Sequence, residues 1–383
     1  MIEANTQLFT PFQLRSVKTR NRVVISPMCQ YSADDDGRVN DWHLVQLGRY
    51  ALGGAGLVFA EATAVSRAGR ITPGDLGIWS DEHIPGLRRL AEFLRTQGAV
   101  AGIQLSHAGR KGSSQRPWHG GAPLDQNSSG EESAWPTVSA SALPLRDDAP
   151  APEALDTTAM QTLKQAFVAA AQRALDAGFD VIELHCAHGY LLHQFLSPLS
   201  NKREDSYGRN RESRCRYPLE VVEALRAAIP EDKPLLVRIS AVDGLEDGWS
   251  LEDSLYFAGE LKARGVDLID CSSGGLGGAA TASGVPRGFG FQVPYAETIR
   301  RQADIPTLAV GLIVEARQAE MILRRGQADL IAIAREALNN PNWALHAEQA
   351  LRAEADFNQW PEQVGWWLHN RARTLKKLTK SWT

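Results

Sequence analysis

The 383-residue sequence predicts an α/β chain folded as a single (β/α)8 TIM barrel. Three observations carry that reading. Short, near-continuously apolar runs alternate with amphipathic helical stretches eight times. Several helical stretches stop at a glycine placed just before the next run. The first run ends Ile25-Ser26-Pro27-Met28, without the glycine-rich phosphate loop that a doubly wound open sheet places after its first strand.

The eight runs predicted as strands are Arg22–Pro27, Gly56–Val65, Val100–Ser106, Val181–His185, Leu235–Ser240, Leu268–Ser272, Thr307–Gly311 and Leu330–Ala334. Helical spacing of apolar residues marks Asp41–Leu52, Asp81–Gln97, Thr157–Ala177, Cys215–Ala228, Leu251–Arg264, Tyr295–Gln302, Ala316–Arg325 and Pro341–Arg352. Gly98, Gly178, Gly265 and Gly326 are the expected left-handed stops, and Asp156 and Ser250 the expected N-caps. Lys111 to Pro152, rich in Gly, Ser, Pro and Trp, is a long insertion after strand three, read as a lid with a short hairpin. The barrel is expected over 1–355, with 111–152 inserted, and a C-terminal extension over 356–383 that closure does not need.

Composition narrows the function. A net charge of −4 gives no sign of nucleic-acid binding. No window is apolar enough to span a membrane; even Ala51 to Val65 contains Glu61 and several glycines. Cys29, Cys186, Cys215 and Cys271 are scattered without a CxxC pair, which points to reduced thiols and a cytoplasmic location.

Barrel enzymes place their chemistry where strands end. Strand four ends Glu183-Leu184-His185-Cys186-Ala187-His188-Gly189-Tyr190. For both imidazoles to converge, the chain must bend after His185, and Gly189 makes that bend cheap. Two imidazole N–H groups then hold one oxygen that gains negative charge, and Tyr190 supplies a proton. The competing readings are a zinc site with Cys186 or Glu183, and two histidines satisfied near a core. Gly311 and Arg335, after strands seven and eight, fit a phosphate; the plain reading of Arg335 is an ion pair with Glu336. Arg238 on strand five calls for an anion, either the pyrimidine end of a reduced isoalloxazine with Gln104 beside it, or a buried Glu183 or Glu61. Cys29 reads as a thiol touching a cofactor, or as an inert buried one. Gly274, Gly275, Gly277 and Gly278 follow strand six and open no helix, so they read as a flexible mouth loop.

Several segments together resemble the old yellow enzyme family. They are Ser26-Pro27-Met28-Cys29-Gln30-Tyr31, Gly69-Arg70-Ile71-Thr72-Pro73, Gln104 through Lys111, Glu183 through Leu191, and Phe195 through Arg203. The Cys29 and Tyr31 pair resembles the thermophilic-like subclass of NADPH dehydrogenases and xenobiotic reductases. The resemblance implies FMN across the barrel mouth, held by Ser26, Pro27, Met28, Cys29, Ala62, Gln104, Arg238, Gly311, Ala334 and Arg335. It implies Tyr31, His185 and His188 around the substrate, Tyr190 as proton donor, and a ping-pong cycle in which NADPH or NADH reduces the flavin before an enone-type acceptor is reduced. The aromatic tail has no role in the barrel and predicts a homodimer or homotetramer, the alternative being a tail folded back on its own barrel; the resemblance makes Trp366, Trp367, Arg371 and Arg373 candidates to enter a neighbouring site. Departures are Arg209-Asn210 where relatives carry Gly-Ser, and Ala334 where many carry glycine. Two other classes stay in view: a flavin-binding protein without turnover, and a zinc-dependent hydrolase on the same barrel.

Overall fold

The computed structural model describes residues 6–34, 36–125, 133–146, 149–277, 285–352 and 356–378. Eight parallel strands close into one barrel in chain order: β1 (Val23–Ile25), β2 (Leu57–Ala64), β3 (Val100–Ser106), β4 (Val181–Cys186), β5 (Leu235–Ser240), β6 (Leu268–Ser272), β7 (Thr307–Ala309) and β8 (Leu330–Ile333). Each falls within the run predicted for it or one residue beyond. β1, β7 and β8 stop short because Ser26, Val310 and Ala334 already belong to the mouth loops.

The helices follow the predicted stretches, with Asp41–Leu52, Ile84–Thr96, Thr157–Asp176 and Leu251–Ala263 close to expectation. Asp156 accepts the Ala159 N–H at 2.7 Å, and Ser250 forms a reciprocal cap with Asp253. The four glycine stops have φ of 78°, 90°, 80° and 65°. Two expectations need correction. The helix expected from Cys215 begins at Arg211, because Asn210 caps it by accepting the Ser213 N–H. The stretch expected from Pro341 forms the helix Trp343–Leu351, but ahead of it stands a short helix, Arg335–Asn339, where none was expected; it ends before Pro341, since a proline disfavours helical backbone in the residue before it.

Period-two alternation divides the buried residues into two layers. One set fills the space between strands and helices. The other fills the barrel floor with Val24, Leu57, Phe59, Val181, Leu236, Leu268, Leu308 and Leu330, and a hairpin of Phe12–Leu14 and Val17–Thr19 plugs it from below. Further along the same inward faces the residues turn polar: Glu183 and His185 follow Val181, Arg238 and Ser240 follow Leu236, and Asp270 and Ser272 follow Leu268. An apolar floor under a polar rim fixes which end of the barrel does chemistry.

The expected short hairpin stands at the start of the insertion, where Ser114 pairs antiparallel with Pro123: the Gln115 N–H donates to the Ala122 carbonyl and the Leu124 N–H to the Ser113 carbonyl, both at 2.8 Å. Val138–Ser139 pairs in parallel with Glu153–Ala154. Residues 126–132 and 147–148 of the insertion lie outside the described residues. Near its start, Trp118 packs edge-on to Tyr31 at 5.9 Å, and Arg116 donates to the Tyr31 carbonyl at 3.2 Å, so this part stands at the mouth's rim. In the extension, Glu362–Leu375 is a helix whose Trp366 and Trp367 are 58% and 68% exposed, so they do not fold back onto the barrel. Trp382 lies outside the described residues.

Candidate active site

A cleft of about 1270 Å³, its open mouth included, lies over the ends of the strands. Of the residues nominated from the sequence, Ser26, Pro27, Met28, Cys29, Tyr31, His188, Tyr190, Arg238, Gly311, Ala334 and Arg335 line it. Ala62, Gln104 and His185 stand behind that lining. His185 lies directly behind His188 and Tyr190, with ring centroids 5.1 and 5.0 Å away and planes near perpendicular.

The bend that brings the imidazoles together is held from several sides. His188 and Gly189 both take left-handed backbone, with φ of 60° and 73°. The Gly189 N–H donates to His193 Nδ1 at 2.8 Å, and Gln194 donates to the Gly189 carbonyl at 2.7 Å. His193 in turn lies 2.9 Å from Asp243, and both are fully buried. Lys111 Nζ donates to the His188 carbonyl at 2.8 Å and to the Gly275 carbonyl, tying the loop after β4 to the loop after β6. Burial and the neighbouring Arg110 lower the Lys111 pKa to about 7. A Cβ at Gly189 would sit 2.5 Å from the Gly275 oxygen, so glycine permits that close approach. Gly274 and Gly275 both take left-handed backbone, with φ of 68° and 91°; Gly278 lies outside the described residues.

The electrostatics suit proton donors. Burial, then Arg238, hold both His185 and His188 well below the usual imidazole range, so each ring is neutral with one N–H. Burial and the neighbouring Cys29 push the Tyr190 phenol up, keeping its proton in place. His185 Nδ1 accepts the Ala187 N–H at 3.2 Å, which leaves its proton on Nε2.

Below the cleft, Arg238 Nε lies 3.1 Å from Asp270, so its carboxylate neighbour on the adjacent strand is neither of the two expected. Gln104 donates to Glu183 at 2.7 Å, which uses one amide hydrogen previously assigned to a ligand edge. Burial and Asp270 raise the Glu183 pKa to about 8. Glu61 is set apart by a bulge between Ala60 and Ala62; it accepts the Gln30 N–H and lies 3.6 Å from His43. Arg335 makes no ion pair with Glu336 or any other described residue. Cys186 is fully buried in the strand–helix core, away from any zinc set with His185 and His188. Among the described residues no group of three or more His, Cys, Asp or Glu side chains could hold a metal ion.

Sequence reasoning missed Ser272, Ser273, Phe291 and Gln292, which also line the cleft. Ser272 ends β6 and was accessible to the strand-end rule. Gln292 arrives from the start of the next helix, Val293–Gln302, with no local signal.

Comparison with known proteins agrees with this geometry. Residues 7–354 match the NADH:flavin oxidoreductase / NADH oxidase family. The chain is 46% identical over 347 residues to the NADPH dehydrogenase of Geobacillus sp. (strain WCH70), covering 90% of this chain and 95% of that one. Among solved structures, morphinone reductase superposes with a TM-score of 0.74 at 27% identity, covering 91% of this chain and 90% of the other. 2-Naphthoyl-CoA reductase shares the fold with a TM-score of 0.80 at 22% identity; 91% of this chain spans about half of that one, 52%. No helix among the described residues is long and apolar enough to cross a membrane. The chain therefore belongs to the NADH:flavin oxidoreductase / NADH oxidase family, and is an FMN-dependent NAD(P)H oxidoreductase of the old yellow enzyme type.

Proposed function

We propose that the chain reduces the activated carbon–carbon double bond of α,β-unsaturated carbonyl or nitro compounds. In this reading His185 and His188 hold the acceptor's oxygen, and Tyr190 delivers the proton. The observation that carries it is the packing of a neutral His185 ring, just behind the cleft wall, against both the neutral His188 imidazole and the protonated Tyr190 phenol, with ring centroids 5.1 and 5.0 Å away. Two N–H donors on one oxygen stabilise the negative charge that grows there as hydride reaches the β-carbon, by roughly 3–4 kcal/mol for each well-placed donor. The Tyr190 O–H is then the proton source for the α-carbon, and Tyr31 lines the same space.

The residues present fit FMN. Among the described residues, Ser26 Oγ is buried at the cleft wall with no hydrogen-bond partner, and Arg238 Nε, beside Asp270, has none either although Arg238 lines the cleft. A Cβ at Gly311 would come 2.9 Å from the Phe291 ring, so backbone is laid bare there. Ser26, Pro27, Met28, Cys29, Gly311 and Ala334 would form its bed, Arg335 would take the phosphate, and Arg238 would face the pyrimidine end, with Gln104 and Ala62 behind. Bound FMN supplies the two-electron chemistry that links NADPH or NADH to the acceptor. Storage of flavin without turnover leaves the preorganised imidazole pair without a purpose.

We also read the exposed Trp366 and Trp367 as the contact of a homodimer or homotetramer. The free thiols fit a reducing cytoplasm.

The test compares the parent with a His185→Ala/His188→Ala double variant in steady-state reduction of 2-cyclohexenone. Turnover is expected to fall by about 10²-fold or more, with the flavin content of the purified protein unchanged. Equal activity in the two proteins would end the assignment of these histidines.

A further inference from the structure

We propose that Ser272 sets the tautomer of His188, donating its hydroxyl proton to Nε2 so that the ring turns an Nδ1–H toward the cleft. The consequence for the reaction rests on the reading of His188 as an oxygen-holding donor; the tautomer itself does not.

The argument is a count of protons. Ser272 Oγ lies 2.6 Å from His188 Nε2 and 3.4 Å from Gln292 Oε1. One hydroxyl hydrogen must choose between these acceptors. Gln292 Nε2 donates to the Val310 carbonyl at 3.2 Å, which fixes the amide so that its oxygen faces the serines. That oxygen already receives the Ser273 hydroxyl at 2.7 Å. The ring nitrogen is closer and otherwise unserved, so the Ser272 proton goes to it. A neutral imidazole has one N–H, and it then resides on Nδ1, which has no partner among the described residues.

The opposite choice would put the ring proton on Nε2 toward Ser272. Nδ1 would then present a lone pair to an oxygen gaining negative charge, a repulsive arrangement. Ser240 does not decide the matter, since it accepts the His188 backbone N–H at 2.9 Å and passes its own proton to the Gly274 carbonyl. His185 is the mirror case: the Ala187 N–H occupies its Nδ1, so its free donor is Nε2–H. The two rings thus carry opposite tautomers, one set by the backbone and one by the serine that ends β6. Ser272 is a positioning residue acting through His188.

The test uses the FMN-loaded enzyme with ¹⁵N-labelled histidine, read by long-range ¹H–¹⁵N spectroscopy. A His188→Asn spectrum assigns the ring signals by their loss. The parent should show His188 as the Nδ1–H form. Ser272→Ala should move it to the Nε2–H form or a mixture, and weaken binding of 4-hydroxybenzaldehyde about tenfold. Ser272→Thr, which keeps the hydroxyl, should restore both. An Nε2–H form in the parent overturns the proposal without need of any variant, as does an unchanged tautomer in Ser272→Ala. If the tautomer moves as stated but aldehyde affinity is unchanged in both Ser272→Ala and His188→Asn, the tautomer assignment stands and the oxygen-holding reading falls.

Discussion

Replacing Gly189 by alanine tests whether two loops must meet backbone to backbone for the site to form. Gly189 has φ of 73°, which costs an L-residue about 1–2 kcal/mol. The new Cβ would lie 2.5 Å from the Gly275 oxygen and 2.8 Å from the Leu276 Cα, both backbone atoms that no rotamer change can remove. Overpacking of this kind costs about 1–3 kcal/mol. Together the two effects give about 2–5 kcal/mol, a large part of a typical total stability of about 5–15 kcal/mol. With an unfolding entropy of about 2 cal/mol/K per residue over this length, the midpoint should drop by about 3–6 °C. The protein can escape part of the clash by parting the loops. That would stretch the Lys111 bridge between the His188 and Gly275 carbonyls and displace His188. Stability or turnover must therefore fall, and the smaller one loss, the larger the other. Scanning calorimetry and 2-cyclohexenone turnover measure the two sides. Gly275→Ala attacks the same contact, because its Cβ would lie 2.7 Å from the His188 Cα. The double variant should then cost clearly less than the two singles combined. A single variant that loses under about 0.5 kcal/mol with full turnover would refute the reasoning.

Asp243→Asn should cost about 1–3 kcal/mol in denaturant unfolding, because one of the two accepting oxygens becomes an NH2 that faces groups aimed at an acceptor: His193, the Ser197 hydroxyl and the Trp249 N–H. Although burial pushes the Asp243 carboxyl up, His193 and these hydrogen bonds bring it below its ordinary value. It therefore adds stability above the unfolded carboxylate pKa that disappears as pH falls through the folded one. The parent should lose that increment below about pH 4 and the variant should not; parallel profiles would sink the idea. Glu183→Gln should flatten stability between about pH 5 and 8. The folded parent, with Glu183 raised to about 8, keeps a proton there that the unfolded chain has released, and so loses stability as pH rises. Denaturant midpoints that follow the parent through this window count against it. Trp366→Ala with Trp367→Ala should lower the particle mass seen by light scattering, and a parent already monomeric removes the oligomer reading.

Much of this protein was legible in its sequence because a parallel barrel repeats one local rule. Strands buried on both faces read as apolar runs, and glycine stops and side-chain caps mark helix ends from neighbouring residues alone. The same rule placed half of the cleft lining, since strand ends face the mouth. Local signals failed where the cause was distant. Asp270 meets Arg238 only through the register of β5 and β6. Gln292, at the start of the helix Val293–Gln302, reaches Ser272 and Ser273 only through the tertiary fold. His193 and Asp243 stand fifty residues apart, yet together they hold the Gly189 turn.

The sequence by itself determined the barrel, the end that carries chemistry and the residue types at the rim, because those depend on periodicity and on which side chains end each strand. Only the tertiary structure decided who bonds to whom: which carboxylate faces Arg238, what braces the turn after β4, and which nitrogen of each imidazole bears its proton. Those outcomes depend on distances of a few tenths of an ångström between elements remote in the chain, and no local pattern encodes them.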